Sequence, residues 1–141
     1  MNIQNKNIVI TGAANGIGHA LARRMSEESP KSISLIDINS SLKEVAGSLN
    51  AESYIVDVSN EHDFQTVLKN IINKNGSIDL FCSNAGIQQF GTLETSTLDW
   101  QKNWDVNVMS HIYAAKVLIP QMKKQGSGYL LLTVSAAGLL N

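Results

Sequence analysis

The sequence is poor in the residues that build stapled or membrane-bound proteins. It holds one cysteine, Cys82, in 141 residues. An intramolecular disulfide is therefore excluded, and a reducing, cytoplasmic location is expected. Cys82 lies in the apolar run Leu80-Phe81-Cys82 and reads as a buried core thiol. No apolar run reaches the length of a membrane span. The first residues, Met1-Asn2-Ile3-Gln4-Asn5-Lys6, contain no hydrophobic core of a signal peptide. Without a secretion signal, the Asn39-Ser40-Ser41 and Asn75-Gly76-Ser77 triplets carry no weight as glycosylation sites. Neither sign of charge prevails: the net charge is −1, which gives no reason to expect a nucleic acid or an anionic membrane as partner. Internal repeats, linkers and low-complexity segments are lacking too. The three histidines, His19, His62 and His111, fall on separate expected helices, so each reads as a solvated or capping residue and no metal site is expected.

What is present suits one α/β domain over residues 1–141. A chain of this length buries roughly 68–70% of its unfolded surface, enough for a true core. Hydrophobic residues make up 43% of it, an ordinary share for a globular α/β protein. Apolar runs with strand character recur at Lys6–Thr11, Ser32–Asp37, Glu52–Asp57, Ile78–Ser83 and Tyr129–Val134. In the first, Ile8-Val9-Ile10 is apolar at every position, as in a strand covered on both faces. Helical segments alternate with these runs. Ile17 to about Glu28 carries an Ile17, Leu21, Met25 stripe and closes at Pro30. Leu42–Leu49 follows Ser40 as N-cap. Glu61–Asn73 presents Phe64, Val67, Leu68, Ile71 and Ile72, and Asn75-Gly76 ends it. Leu98 to Gln125 is helical with a break near Asn107. Such alternation predicts parallel strands joined by right-handed crossovers.

The chain is organised around Ile8-Val9-Ile10-Thr11-Gly12-Ala13-Ala14-Asn15-Gly16-Ile17-Gly18. Strand, glycine-rich turn and helix in that order form the opening of a dinucleotide-binding unit. Gly12 permits a tight exit from the strand. A side chain at Gly16 would hold the backbone away from a pyrophosphate. A Cβ at Gly18 would push the helix off the sheet. The first N–H groups of that helix have no partner within it and offer themselves to an anion. Asp37 closes the second strand 19 residues past Gly18, where such a fold places an acid on the adenosine ribose. A 2′-phosphate would meet that carboxylate at a cost of several kcal/mol. The turn's variable positions Ala13, Ala14 and Asn15 offer it no cation, so NAD is expected over NADP. The expected cofactor contacts are Gly12, Ala14, Asn15, Gly16, Ile17 and Gly18 at the turn, then Asp37 and Ile38. Asp57 and Val58, closing the third strand, either meet the adenine edge or are plain turn residues.

In this order the motifs resemble the short-chain dehydrogenase/reductase family, over essentially the whole chain. Thr11–Gly18 matches its Thr-Gly-x-x-x-Gly-x-Gly cofactor motif, Asp37 the acid of its NAD-preferring members, and Asp57-Val58 its adenine-contacting pair. Ser83-Asn84-Ala85-Gly86 matches its Asn-Asn-Ala-Gly motif, with Ser83 in place of the first Asn. Asn84, Ala85 and Gly86 follow a strand end, where small residues let the backbone approach a nicotinamide ribose. Asn107 matches the family's mid-helix active-site Asn, and Ser135 its catalytic Ser. The resemblance implies a Rossmann-type doubly wound parallel sheet of about five strands, order 3-2-1-4-5, with the C-terminal part of the fold missing. It implies that Asn107 bends its helix and holds a water, and that the Ser135 hydroxyl bonds the substrate's carbonyl or alcohol oxygen. It further implies a small-molecule alcohol or carbonyl substrate and a homo-oligomer. The helices carrying Trp100, Trp104, Val108, Ile112 and Leu118 either pair across a dimer axis or simply cover the sheet.

The family's proton donor is a Tyr with a Lys four residues on, about a dozen residues beyond the Ser. Here the sequence runs six residues past Ser135. Tyr54, Tyr113 and Tyr129 are followed four residues on by Val58, Val117 and Thr133. A truncated dehydrogenase is therefore expected, ending in the apolar Gly138-Leu139-Leu140-Asn141. Its fifth strand is expected to expose an apolar edge and to favour self-association. An NAD(H)-dependent oxidoreductase is the leading reading for the parent protein, and this chain alone is expected to be inactive. A non-catalytic dinucleotide-binding module is the alternative. A flavodoxin-like signalling domain fits the glycine motif and Asp37 poorly.

Overall fold

A computed structural model describes residues 2–88 and 91–136. Five strands, β1 (Asn7–Thr11), β2 (Ser32–Asp37), β3 (Glu52–Ile55), β4 (Leu80–Ser83) and β5 (Tyr129–Leu132), form one sheet in the order β3-β2-β1-β4-β5. Every neighbouring pair is parallel. The connecting helices are α1 (Gly16–Ser26), α2 (Leu42–Ser48), α3 (Glu61–Asn75), α4 (Thr97–Trp104) and α5 (Ser110–Gln125). The parallel pairing is what the alternation of apolar runs predicts, and the strand order is that of the doubly wound Rossmann sheet implied by the family resemblance.

The two faces of β1 explain its unbroken apolar character. Ile8 and Ile10 pack with Leu35, Leu80 and Cys82 beneath α1 and α2. Val9 points the other way and packs with Ile36, Phe81, Phe64 and Leu118 beneath α3 and α5. Side chains alternate along a strand, so only a strand covered on both sides is apolar throughout. Burying each large aliphatic or aromatic side chain contributes about 1.5–3 kcal/mol.

Several boundaries differ from the sequence expectation. β1 opens one residue later, at Asn7, whose amide N–H donates to Asp79 Oδ2 at 2.8 Å. β3 stops at Ile55 rather than Asp57, because Asp57 turns back on Ser59: its Oδ1 accepts from the Ser59 N–H at 2.9 Å. β4 begins at Leu80 rather than Ile78, and β5 ends at Leu132 rather than Val134. The N-cap of α2 is Ser41 rather than Ser40; Asn39 Oδ1 accepts from the Ser41 N–H at 2.9 Å and shapes that entry. Helix α3 runs to Asn75, where Gly76 at φ 85° closes it as expected.

The apolar stripe of α1 is the largest correction. Ile17 is 63% exposed, and the helix buries Gly18 and Ala22 instead. The reason is closeness: a Cβ on Gly18 would stand 2.1 Å from the Gly12 carbonyl oxygen. The smallest residues therefore take the contact line, and Leu21 and Met25 pack beside the core. Near Asn107 the helix does not break. Residues Asp105–Met109 form a π-helical turn that joins α4 to α5. The apolar end Gly138–Asn141 lies outside the described residues.

Candidate functional site

Parallel strands present their carboxyl ends together, and the turns that leave them line one cleft. Its walls include Gly12, Asn15, Ile17, Asp37, Ile38, Asp57, Val58, Asn84, Ala85 and Gly86. These are ten of the thirteen positions expected to touch a cofactor. The other three lie close behind. Ala14 is buried, and its N–H donates to Asp37 Oδ2 at 2.9 Å. Gly16 and Gly18 stand at the start of α1.

Thr11 is the pivot of the cleft. Its Oγ1 accepts the N–H groups of Asn84 and Ala85, at 2.9 and 3.0 Å, and donates to the Cys82 carbonyl at 3.4 Å. Asn84 returns the contact: its Nδ2 donates to the Thr11 carbonyl at 3.1 Å. Its Oδ1 accepts from the Thr133 hydroxyl at 3.0 Å, which ties the end of β5 to the same point. The glycine turn and the Asn84–Gly86 turn are thereby pressed together. Gly12 has φ +67°, and a Cβ there would stand 2.8 Å from the Ala85 Cα. No larger residue fits that approach.

Gly16 differs in kind. Its φ is +54°, yet a Cβ there would meet nothing within 4 Å. Its backbone faces open space. Asn15 enters α1 in an extended conformation, and no side chain caps the helix start. The N–H groups there suit an anion, with the helix dipole adding roughly 0.3–1 kcal/mol. Asp37 Oδ1 accepts the Asn39 N–H at 2.9 Å, so both carboxylate oxygens are held by backbone and aimed rigidly.

The charged residues of the cleft wall are Asp37, Asp57 and Lys102, and the wall also includes Val56, Ile87, Val106 and Thr133. Of these, sequence reasoning singled out Asp37 and Asp57 but not Lys102, Val56, Ile87, Val106 or Thr133. Thr133 had a signal in hindsight, a hydroxyl residue between β5 and Ser135. Asn107 is anchored rather than free: its Oδ1 accepts the Ile87 N–H and its Nδ2 donates to the Ile87 carbonyl, both at 2.9 Å. Neither Asn107 nor Ser135 is among the residues lining the cleft. Ser135 is exposed and lies two residues past Thr133.

The tyrosines and the thiol stand apart from this chemistry. Tyr54 donates its hydroxyl to Glu52 Oε2 at 2.6 Å, and burial together with that carboxylate pushes its pKa up to about 12. Lys116, three residues after Tyr113, is held by Glu61 Oε1 at 2.8 Å on the α3 side. Burial pushes the Cys82 thiol up to about 12, as suits an inert core residue. His111 corrects the sequence expectation. It is half-buried, not solvated, and its Nδ1 hydrogen-bonds the Ser83 hydroxyl. Burial holds its pKa below the ordinary histidine value, while the Asn107 carbonyl acts the other way.

Comparison with known proteins agrees with the fold. Residues 6–141 match the family described as short chain dehydrogenase, and the chain belongs to that family. It is 34% identical to a meso-2,3-butanediol dehydrogenase of Serratia marcescens over 143 residues, covering 99% of this chain and 57% of that protein. Among solved structures, it superposes on a short chain dehydrogenase/reductase from Burkholderia phymatum in complex with NAD. The TM-score is 0.92 and the identity 32%, covering 100% of this chain and 53% of the other. A 7α-hydroxysteroid dehydrogenase complexed with NADH and 7-oxo glycochenodeoxycholic acid gives a TM-score of 0.93 at 25% identity. The chain spans about half the length of the relatives it matches. Among the described residues, no helix is long and apolar enough to cross a membrane.

Proposed function

We propose that this chain is the NAD(H)-binding part of an oxidoreductase that interconverts an alcohol and a carbonyl compound. The observation that carries the reading is the cleft at the uncapped start of α1, whose wall joins Gly12, Asn15 and Ile17, on either side of the open backbone of Gly16, to the fixed carboxylate of Asp37. The residues present fit a dinucleotide. Gly12, Ala14, Asn15, Gly16, Ile17 and Gly18 would hold its diphosphate. Asp37 and Ile38 would hold the adenosine ribose, Asp57 and Val58 the adenine, and Asn84, Ala85 and Gly86 the nicotinamide ribose. The bound nicotinamide supplies hydride acceptance and donation; the protein positions it.

Two further residues have roles in this reading. The Ser135 hydroxyl donates a hydrogen bond to the substrate oxygen. Asn107 fixes the loop at Ile87 and, through the π-helical turn, offers a backbone carbonyl to a water. NAD is favoured over NADP because a 2′-phosphate would face Asp37. The protein acts as a homo-oligomer in this account. The exposed Trp104, Ile112 and Ile119 support that, the last two lying seven residues apart on one helical stripe of α5.

Titration of the chain with NADH and NADPH by calorimetry tests the reading. Tighter binding of NADH is expected; tighter binding of NADPH overturns the choice of cofactor. A second reading is a dinucleotide-binding module without turnover. Assay of the full-length gene product with NAD and a panel of secondary alcohols separates the two.

A further inference from the structure

The short turn after β4 forms one wall of the cleft, and it is tied to the helical layer at both ends. At its far end, Asn107 grips both backbone groups of Ile87. At its near end, Ser83 is the last residue of β4 and only 4% exposed. Its hydroxyl meets the ring of His111, one helical turn after Asn107 on the same continuous helical stretch. Asn84, Ala85 and Gly86 hang between these two ties.

We infer that Ser83 and His111 are a positioning pair that pins the Asn84–Ile87 wall to α5 and thereby holds the cofactor cleft in shape. A serine side chain is too short to cross from strand to helix alone, and the histidine spans the gap. Because Ser83 stands where the resembled family carries Asn, the pair is a tie that the family motif does not account for. The buried hydroxyl has a strong requirement for a partner, since an unmet polar group in a low-dielectric setting is costly. Which nitrogen carries the proton does not matter, because hydroxyl and imidazole can each donate or accept.

Two readouts test the pair, and only the second rests on the proposed function. The first is amide hydrogen exchange at Gly86 and Ile87 in the 141-residue chain without ligand, with Val9 and Leu35 as core controls. In Ser83→Ala and in His111→Phe, exchange at Ile87 is expected to speed up about tenfold or more, with the core amides little changed. His111→Asn, which keeps an amide where the ring's Nδ1 stood, is expected to restore most of the protection. The double variant is expected to be no worse than either single one, as for two members of one interaction. Unchanged exchange at Ile87, or strictly additive effects, overturns the inference. If Ser83→Ala fails to fold, the contrast between His111→Phe and His111→Asn decides by the same criterion.

The second readout is NADH affinity in the same variants, expected to weaken about three- to tenfold and to recover in His111→Asn. A wild-type chain that binds no NADH contradicts the proposed function, while the exchange result still decides the pair. A chain that binds NADH equally well in all variants, with Ile87 loosened, removes the link from the pair to the cofactor.

Discussion

Gly16 and Gly18 are both invited by one motif, yet the structure asks different things of them. A methyl group at Gly18 would overlap the Gly12 carbonyl oxygen at 2.1 Å, which is backbone and has nowhere to go. Gly18→Ala is therefore expected to lower stability by at least about 1–3 kcal/mol, read from urea unfolding. Gly16→Ala meets no atom within 4 Å and costs only its left-handed backbone, about 1 kcal/mol. Its expected effect lies in ligand affinity: NADH binding weakens at least tenfold while the fold persists. His111 gives a prediction in pH. Its folded pKa is depressed below the ordinary 6.5 by burial, so the unfolded chain binds the proton more readily. The stability it contributes is complete above about 6.5 and is lost as pH falls below that value. A melting curve at pH 7.5 and 5.5 checks this; His111→Phe is expected to flatten that part of the dependence. The motif residues were legible in the sequence because each serves a local backbone need. The Ser83–His111 contact was not, since it joins positions 28 residues apart and no spacing rule links them.

Among the elements, the parallel sheet was the most readable and its limits the least. Unbroken apolar runs such as Ile8-Val9-Ile10 announce a strand covered on both faces. Where such a run stops hydrogen-bonding depends on side chains like Asp57, which captures Ser59 and bends the chain away from β2. Helix α1 misled for a different reason. Periodicity alone favours Ile17, Leu21 and Met25, but the tight approach of helix to turn reserves the contact line for Gly18 and Ala22. The long helix between Thr97 and Gln125 was expected to break near Asn107 and instead takes a π-helical turn there. Such turns recur at functional sites because they shift a side chain out of helical register. Asn107→Leu removes both bonds to Ile87 and is expected to weaken NADH binding more than it lowers the melting temperature. By contrast Leu118, fully buried where α5 meets the sheet, is a packing residue. Leu118→Ala is expected to cost about 2–5 kcal/mol in urea unfolding.

At the scale of the whole molecule, the sheet has an uneven cover. β1 and β4 are buried along their whole length, whereas β5 exposes Tyr129, Leu131 and Leu132 at its edge. An edge of this kind pairs readily with another chain. Light scattering of the 141-residue chain is expected to give a mass above the 15.3 kDa of one copy. Lys replacing Leu131 is expected to shift that mass toward one copy. The central claim concerns the cleft at the carboxyl ends of the five strands, beside the start of α1. Its most direct measurement is a map of backbone amide shifts during an NADH titration. The account predicts saturable changes centred on Gly16, Ile17 and Gly18, on Asp37 and Ile38, and on Asn84 to Gly86. Shifts confined to α4 and α5, or none at millimolar NADH, would contradict it.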